Sequence, residues 1–189
     1  IIHLDFKSPN ILLDDRILPK VADFGLSKFY DPNSKSNKDD ISITSEKAGP
    51  PPCISQKGTP MWMSPEQICG LKCDPKSDVY SFGVILYELY TNKEPYQGLN
   101  HVQIFYKVVR SNERPKLPEN ETPLAHLIAS CWDSDPSMRP TFSEIFELFQ
   151  SGKVKFPFCK PHSVREALRI IKNNDRTIRE ALKRDAGVL

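Results

Sequence analysis

No run of apolar residues in this 189-residue chain approaches the ~20 that a membrane-spanning helix requires, so no membrane partner is expected. No secretory signal is visible. The five cysteines, Cys53, Cys69, Cys73, Cys131 and Cys159, are odd in number and irregular in spacing. That argues against a disulfide framework. Only Cys69 and Cys73 lie close together, and no second Cys or His pair completes a zinc site. Free thiols fit a reducing, intracellular compartment, and a cytoplasmic location is the expectation. A dominant charge is lacking as well: 26 Lys and Arg stand against 24 Asp and Glu. The balance is uneven along the chain. Residues 151–189 hold ten basic against four acidic residues, a net of +6, whereas residues 1–150 hold sixteen against twenty, a net of −4. The basic residues of the tail are interrupted by acids, and no aromatic-rich motif accompanies them. This argues against a nucleic-acid partner and for a solvated helix face.

The remaining pattern is that of one globular body with a tail. Ile11-Leu12-Leu13 and Lys20-Val21-Ala22 flank Asp14-Asp15-Arg16 and predict a small β-hairpin, with Asn10 at one end and Asp23 at the other. Residues 30–57 are rich in Ser, Asn, Asp, Lys and Pro, which predicts a long mobile loop. Asp74-Pro75 then opens a helix. Val79, Phe82, Val84, Ile85, Leu86 and Leu89 cover most of its circumference, so it is expected to be buried. Val102, Phe105, Val108 and Val109 predict a second helix after Asn100, and Thr122-Pro123 a third with Leu124, Leu127, Ile128 and Cys131 on one face. Thr141 and Glu144 form a capping-box pattern for a fourth, with Phe142, Ile145, Phe146 and Phe149 facing inward. The fold class is therefore mainly α, a helical body with a small hairpin and no parallel sheet. Ser151-Gly152, Pro157 and Pro161 mark a linker. Val164, Leu168, Ile171, Ile178 and Leu182 make one apolar stripe in the tail, which is expected to dock on the body or on a partner helix.

The polar chemistry is concentrated in residues 3–25. His3-Leu4-Asp5-Phe6-Lys7-Ser8-Pro9-Asn10 supplies a carboxylate, an ammonium and an amide within six positions, and Asp23-Phe24-Gly25 follows. Phosphoryl transfer needs a carboxylate facing the acceptor hydroxyl and oxygen ligands for magnesium. Asp5 suits the first task, and Asn10 and Asp23 the second. Taken singly, Asp5 or Asp23 reads as a turn residue and Lys7 as a surface charge.

In order and spacing these motifs resemble the C-terminal lobe of a eukaryotic-type protein kinase. Gly58-Thr59, Ser64-Pro65-Glu66, Asp78 with Ser81-Phe82-Gly83, and Arg139 extend the resemblance over residues 1–150. Gly58-Thr59-Pro60-Met61-Trp62-Met63-Ser64-Pro65-Glu66 is most similar to the tyrosine-kinase-like group of serine/threonine kinases. The resemblance implies a C-lobe with its activation segment at 23–66, and an α+β fold for the full domain. It implies transfer of the γ-phosphate of ATP to serine or threonine hydroxyls of a protein substrate, with Mg2+ as cofactor and Mn2+ as its alternative. It further implies Asp5 and Lys7 as catalytic residues, Asn10 and Asp23 as metal ligands, and Lys7, Asn10 and Asp23 at the nucleotide phosphates. Thr59 would shape the acceptor site by bonding toward Asp5 and Lys7. Glu66 would pair with Arg139, and Asp78 would brace the backbone around Asp5. His3 and Phe24 would serve as apolar packing residues.

Two departures from the family pattern carry expectations. Leu4 stands where the family usually has Arg, and Leu cannot pair with a phosphate on the activation segment. Phosphorylation at Ser42, Thr44, Ser45 or Ser55 is therefore not expected to be needed through that route. The segment from Asp23 to Glu66 is also long, which suggests an insertion at 31–52. The Gly-rich loop, the strand Lys with its Glu and the adenine-contacting hinge of the family are not found in this sequence. Residue 1 is Ile rather than Met, so an excised or incomplete piece, inactive alone and lacking an N-lobe, is expected. The alternative to an enzyme is a pseudokinase or an interaction module.

Overall fold

A computed structural model describes residues 1–31 and 60–157. The expected loop at 30–57, the insertion at 31–52, Thr59 and the tail stripe therefore lie largely or wholly outside the described residues. The chain begins with a polar loop that ends in a 3-10 turn at Ser8–Asn10, with Pro9 inside it. The hairpin follows: β1 (Ile11–Leu13) pairs antiparallel with β2 (Pro19–Val21), and Ile11 lies opposite Val21. The second strand sits one residue earlier than the sequence suggested. Pro19 opens it at its first position, where a missing N–H costs least. An isolated bridge between Ile2 and Lys28 closes this opening region, with N···O distances of 2.8 and 2.9 Å.

The rest is helical. A single-turn helix α1 (Pro65–Ile68) is capped by Ser64. The long helix α2 (Pro75–Thr91) starts at Asp74, whose side chain accepts from the Lys76 N–H, and ends at Asn92 in the left-handed region. Shorter helices follow: α3 (His101–Phe105), α4 (Pro123–Cys131) capped by Thr122, and α5 (Phe142–Gln150) with the Thr141–Glu144 capping box. α2 is the axis of the body. It is buried from Ser77 through Ser81 and from Gly83 through Tyr87, and it packs on α4. Gly83 allows that approach, because a Cβ there would stand 2.7 Å from the Cys131 Cβ. Leu124, Leu127, Ile128 and Cys131 of α4 are all buried against it.

Four expectations need correcting. Leu89 is 63 % exposed, so the buried surface of α2 stops short of its last turns. The segment after Asn100 is not one uniform helix: α3 gives way to a π-helical turn at Tyr106–Arg110, where Ser111 N–H bonds to the Tyr106 carbonyl. This shift in winding buries Val108 with Ile104 and Phe105 while Val102 faces outward. On α5 only Ile145 is fully buried, and Phe142 and Phe146 are exposed. Finally, packing does not stop at Gln150. Val154 joins the core and Phe156 stacks on Phe149 at 6.0 Å between ring centroids. Gly152 makes the turn between them with φ of 72°. No helix among the described residues is long and apolar enough to cross a membrane. Cys73 and Cys131 are free thiols, and burial pushes the Cys131 thiol up to about 12.

Candidate active site

Asp5, Lys7 and Asn10 form one cluster. The 3-10 turn folds residues 8–10 back toward Asp5, so that the Asn10 amide donates to the Asp5 carbonyl at 2.9 Å and to its Oδ2 at 3.1 Å. Lys7 Nζ reaches the same Oδ2 at 2.8 Å. Both donors thus fall on one carboxylate oxygen. Among the described residues none falls on Asp5 Oδ1. The Asn10 side-chain oxygen is likewise uncommitted among them.

Hairpin register brings Asp23 to the same end as Asn10. Ala22 N–H bonds to the Asn10 carbonyl at 2.9 Å, which leaves Asp23 as the next residue out. The two residues, at the two chain ends of the hairpin, therefore lie at the same end of the β1–β2 pair. Asp23 has φ of 62°, a left-handed conformation that Asp tolerates because its side chain can bond locally. Its Oδ1 accepts from Gly25 N–H at 3.3 Å. A Cβ on Gly25 would approach that oxygen to 3.2 Å, so the small residue keeps the carboxylate turn open.

The loop backbone is held from α2. Asp78 Oδ2 accepts from His3 N–H at 2.7 Å, and Oδ1 from Leu4 N–H at 3.0 Å. Burial pushes the Asp78 carboxyl up against the lowering effect of these bonds. Leu4 itself sits at φ 64°, which is costly for a branched side chain. Asp78 on its N–H and Gln67 Nε2 on its carbonyl hold it there. His3 is more than a packing residue. Its Nδ1 accepts from Asp5 N–H at 3.3 Å, which places the ring proton on Nε2, 3.0 Å from the Ala22 carbonyl. The imidazole thereby joins the Asp5 loop to the strand that leads to Asp23, and its face lies 4.8 Å from the half-exposed Phe24 ring.

Glu66 and Arg139 meet in a bidentate pair of 2.7 and 2.9 Å, and Ser77 Oγ donates to Glu66 Oε1 at 2.7 Å. The remaining Arg139 donors reach the carbonyls of Asp133, Lys76 and Ser134, and the guanidinium lies 5.2 Å from the Tyr80 ring centre. Burial pushes the Glu66 carboxyl up, but Arg139 and Ser77 outweigh it and leave the group below the usual glutamate value.

Three further residues were not singled out from the sequence. Glu88 on α2 accepts from Ser8 Oγ at 3.0 Å and from Trp62 Nε1 at 2.8 Å. The legible signal was a lone carboxylate in the otherwise apolar stretch Val84–Leu89.

The donor set suits a magnesium-bound polyphosphate. Mg2+ is usually held by one or two protein oxygens, with phosphates and water completing its shell, and Asn10 and Asp23 offer that number. Among the described residues no group of three or more His, Cys, Asp and Glu forms an all-protein cage.

Comparison with known proteins identifies the family. The family model for protein tyrosine and serine/threonine kinases matches residues 1–149. A probable serine/threonine-protein kinase of Dictyostelium discoideum is 44% identical over 150 residues, covering 78% of this chain and 14% of the relative. The dual specificity protein kinase shkB of the same organism is 40% identical, covering 77% of this chain and 20% of the relative. The serine/threonine/tyrosine-protein kinase HT1 of Arabidopsis thaliana is 41% identical, covering 79% and 34%. The chain thus spans about a third or less of the relatives it matches. With a family model over most of its length and a polar cluster that fits that family's chemistry, this chain belongs to the protein kinase family, within its tyrosine-kinase-like group.

Proposed function

We propose that this chain is the catalytic half of a protein serine/threonine kinase. The observation that carries this reading is the Asp5 carboxylate, with Lys7 and Asn10 both on Oδ2 and no described donor on Oδ1. When bound, Mg2+–ATP would supply the transferable γ-phosphoryl group. The Asp5 Oδ1 atom is then placed to orient an acceptor hydroxyl and take its proton. Lys7 lies beside it as a fixed positive charge where negative charge develops. The side-chain oxygens of Asn10 and Asp23 would hold the metal. Thr59 would shape the acceptor side, and the presence in the sequence of both Lys7 and the Gly58-Thr59 motif favours serine and threonine as acceptors. Leu4 offers no guanidinium to a phosphate on Ser42, Thr44, Ser45 or Ser55, so activity would not depend on modification there through that route.

The test uses the complete protein that contains this chain, with radiolabelled ATP and a generic protein acceptor. Asp5→Asn should lower turnover by about 10²–10⁴-fold while leaving the thermal midpoint near that of the wild type. Equal transfer by the Asn variant would overturn the role given to Asp5, and no transfer by the wild type would instead favour a scaffold.

A further inference from the structure

Gln67 is a buried amide on the single-turn helix α1. Burying a carboxamide costs the fold unless its polar atoms are bonded, and an apolar side chain would fill the position without that cost. Its Nε2 donates to the Leu4 carbonyl, 63 residues earlier. That carbonyl belongs to the same planar peptide unit as the Asp5 N–H, which donates to His3 Nδ1 at 3.3 Å. The peptide that enters Asp5 is therefore held at both of its polar ends. The residue before it is the strained one: Leu4 has φ of 64°, a conformation that a branched side chain leaves unless it is held. The preceding peptide is fixed too, by the Leu4 N–H on Asp78 Oδ1 at 3.0 Å. The two anchors on Leu4 are themselves joined. Asp78 follows Ser77 on α2, and Ser77 Oγ donates to Glu66, the neighbour of Gln67 on α1. Leu4, Asp78, Ser77, Glu66 and Gln67 thus close a ring around one backbone position.

We propose that Gln67 is a positioning residue for Asp5. Through the Leu4 carbonyl it fixes the orientation of the Leu4–Asp5 peptide, and so makes the aim of the Asp5 carboxylate depend on the seat of α1. On its other side Asp5 is held by Asn10, whose amide donates to the Asp5 carbonyl at 2.9 Å. Lys7 and Asn10 fix Oδ2, but the Cα–Cβ direction from which that carboxylate extends is set by the backbone on both sides. The catalytic part of this proposal rests on the kinase reading. A misplacement of about 1 Å between reacting groups can reduce turnover by as much as 10²-fold. Among the described residues Gln67 makes no side-chain bond to Asn10 or Asp23, so its loss falls on rate rather than on nucleotide affinity.

The experiment uses the complete protein throughout. Gln67→Met removes the donor at similar size and should lower kcat about 10-fold, with the ATP KM within about twofold of wild type. Gln67→Glu keeps the shape but, when ionised, offers no donor, and should lose at least as much. Gly adopts the left-handed conformation freely, so in a Leu4→Gly background Gln67→Met should cost less than about threefold more. Hydrogen exchange supplies a readout independent of catalysis. Gln67→Met should speed exchange in residues 3–10 while residues 75–91 keep their protection. A wild type without transfer activity, but with exchange in residues 3–10 that responds to Gln67→Met, would overturn the kinase reading and leave the Gln67–Leu4 link standing. Exchange there that is blind to both variants overturns the link. The positioning role is overturned by an unchanged kcat or by an undiminished loss in the Leu4→Gly background. It is equally overturned by a loss that follows the melting temperature and falls as much on the ATP KM.

Discussion

A residue's neighbours in sequence say little about what it holds in space. Without the family resemblance, Asp78 would read as one more acidic residue near the start of a helix, yet it accepts from two successive backbone N–H groups 74 and 75 residues away. Asp78→Ala would leave both N–H groups without their acceptor, at about 1–3 kcal/mol for each unsatisfied group. It would also release Leu4 from its left-handed backbone. Urea unfolding of the chain should show a midpoint clearly below wild type, with Asp78→Asn, which keeps one acceptor oxygen, in between. The Glu66–Arg139 pair gives a second residue-scale expectation. Arg139→Ala strands a buried carboxylate and should cost about 3–5 kcal/mol. A carboxyl held below its unfolded value contributes stability above that value, and the contribution is lost as the pH falls through the folded value. The stability gap between wild type and Glu66→Gln should therefore be flat from pH 7 to about 5 and should close below about 4. Asp78, raised by burial, trends the other way, but both proteins carry it and the difference removes it. Glu66 and Arg139 were expected to pair because the family resemblance implies it, although 73 residues separate them. Glu88 was not legible, since its meaning lies in contacts across 80 and 26 residues.

At the scale of elements, the sequence was most readable where capping chemistry marks a helix start. Asp74-Pro75, Thr122-Pro123 and Thr141 with Glu144 each open a helix at the expected place. Apolar periodicity was a weaker guide to which face is covered. Phe142 and Phe146 have the spacing of core residues and are exposed, and Leu89 is exposed although its neighbours are buried. Periodicity reports a stripe and not the element that meets it. The π-helical turn at Tyr106–Arg110 has no sequence signature of its own. A tertiary contact holds it: Arg114 reaches the Val108 carbonyl at 3.2 Å and the carbonyl of Trp132, just past α4, at 2.9 Å. Gly83 sets the contact between α2 and α4. Gly83→Ala would drive a methyl group to 2.7 Å from the Cys131 Cβ and should destabilise by about 1–3 kcal/mol. Combination with Cys131→Gly should return part of that loss in a denaturant titration, which separates crowding from any change in helix propensity.

Over the whole molecule, the described residues form one packed body with an apolar groove of about 280 Å³ at its open side, bounded by Ile1, Phe6, Val21, Phe24 and Phe142. The 189-residue chain by itself is expected to show no measurable ATP turnover, because the Gly-rich motif and the Lys and Glu that come before the catalytic loop in the kinase family, and cover the phosphates there, are not found before His3 in this sequence. The check is a radiolabelled ATP assay on this polypeptide beside the complete protein. The helical body with its hairpin was readable from patterning, whereas the extent of packing was not: Val154 and Phe156 lie in a stretch whose Gly and Pro content suggests a linker. The Ile2–Lys28 bridge and the Glu66–Arg139 pair moor the chain on either side of residues 32–59. Closure entropy between two fixed moorings grows only logarithmically with the spacing, by about 0.6 kcal/mol for each doubling. Either mooring therefore matters more than its own few bonds suggest, and loss of the Glu66–Arg139 pair should be felt as a lower unfolding midpoint of the whole body.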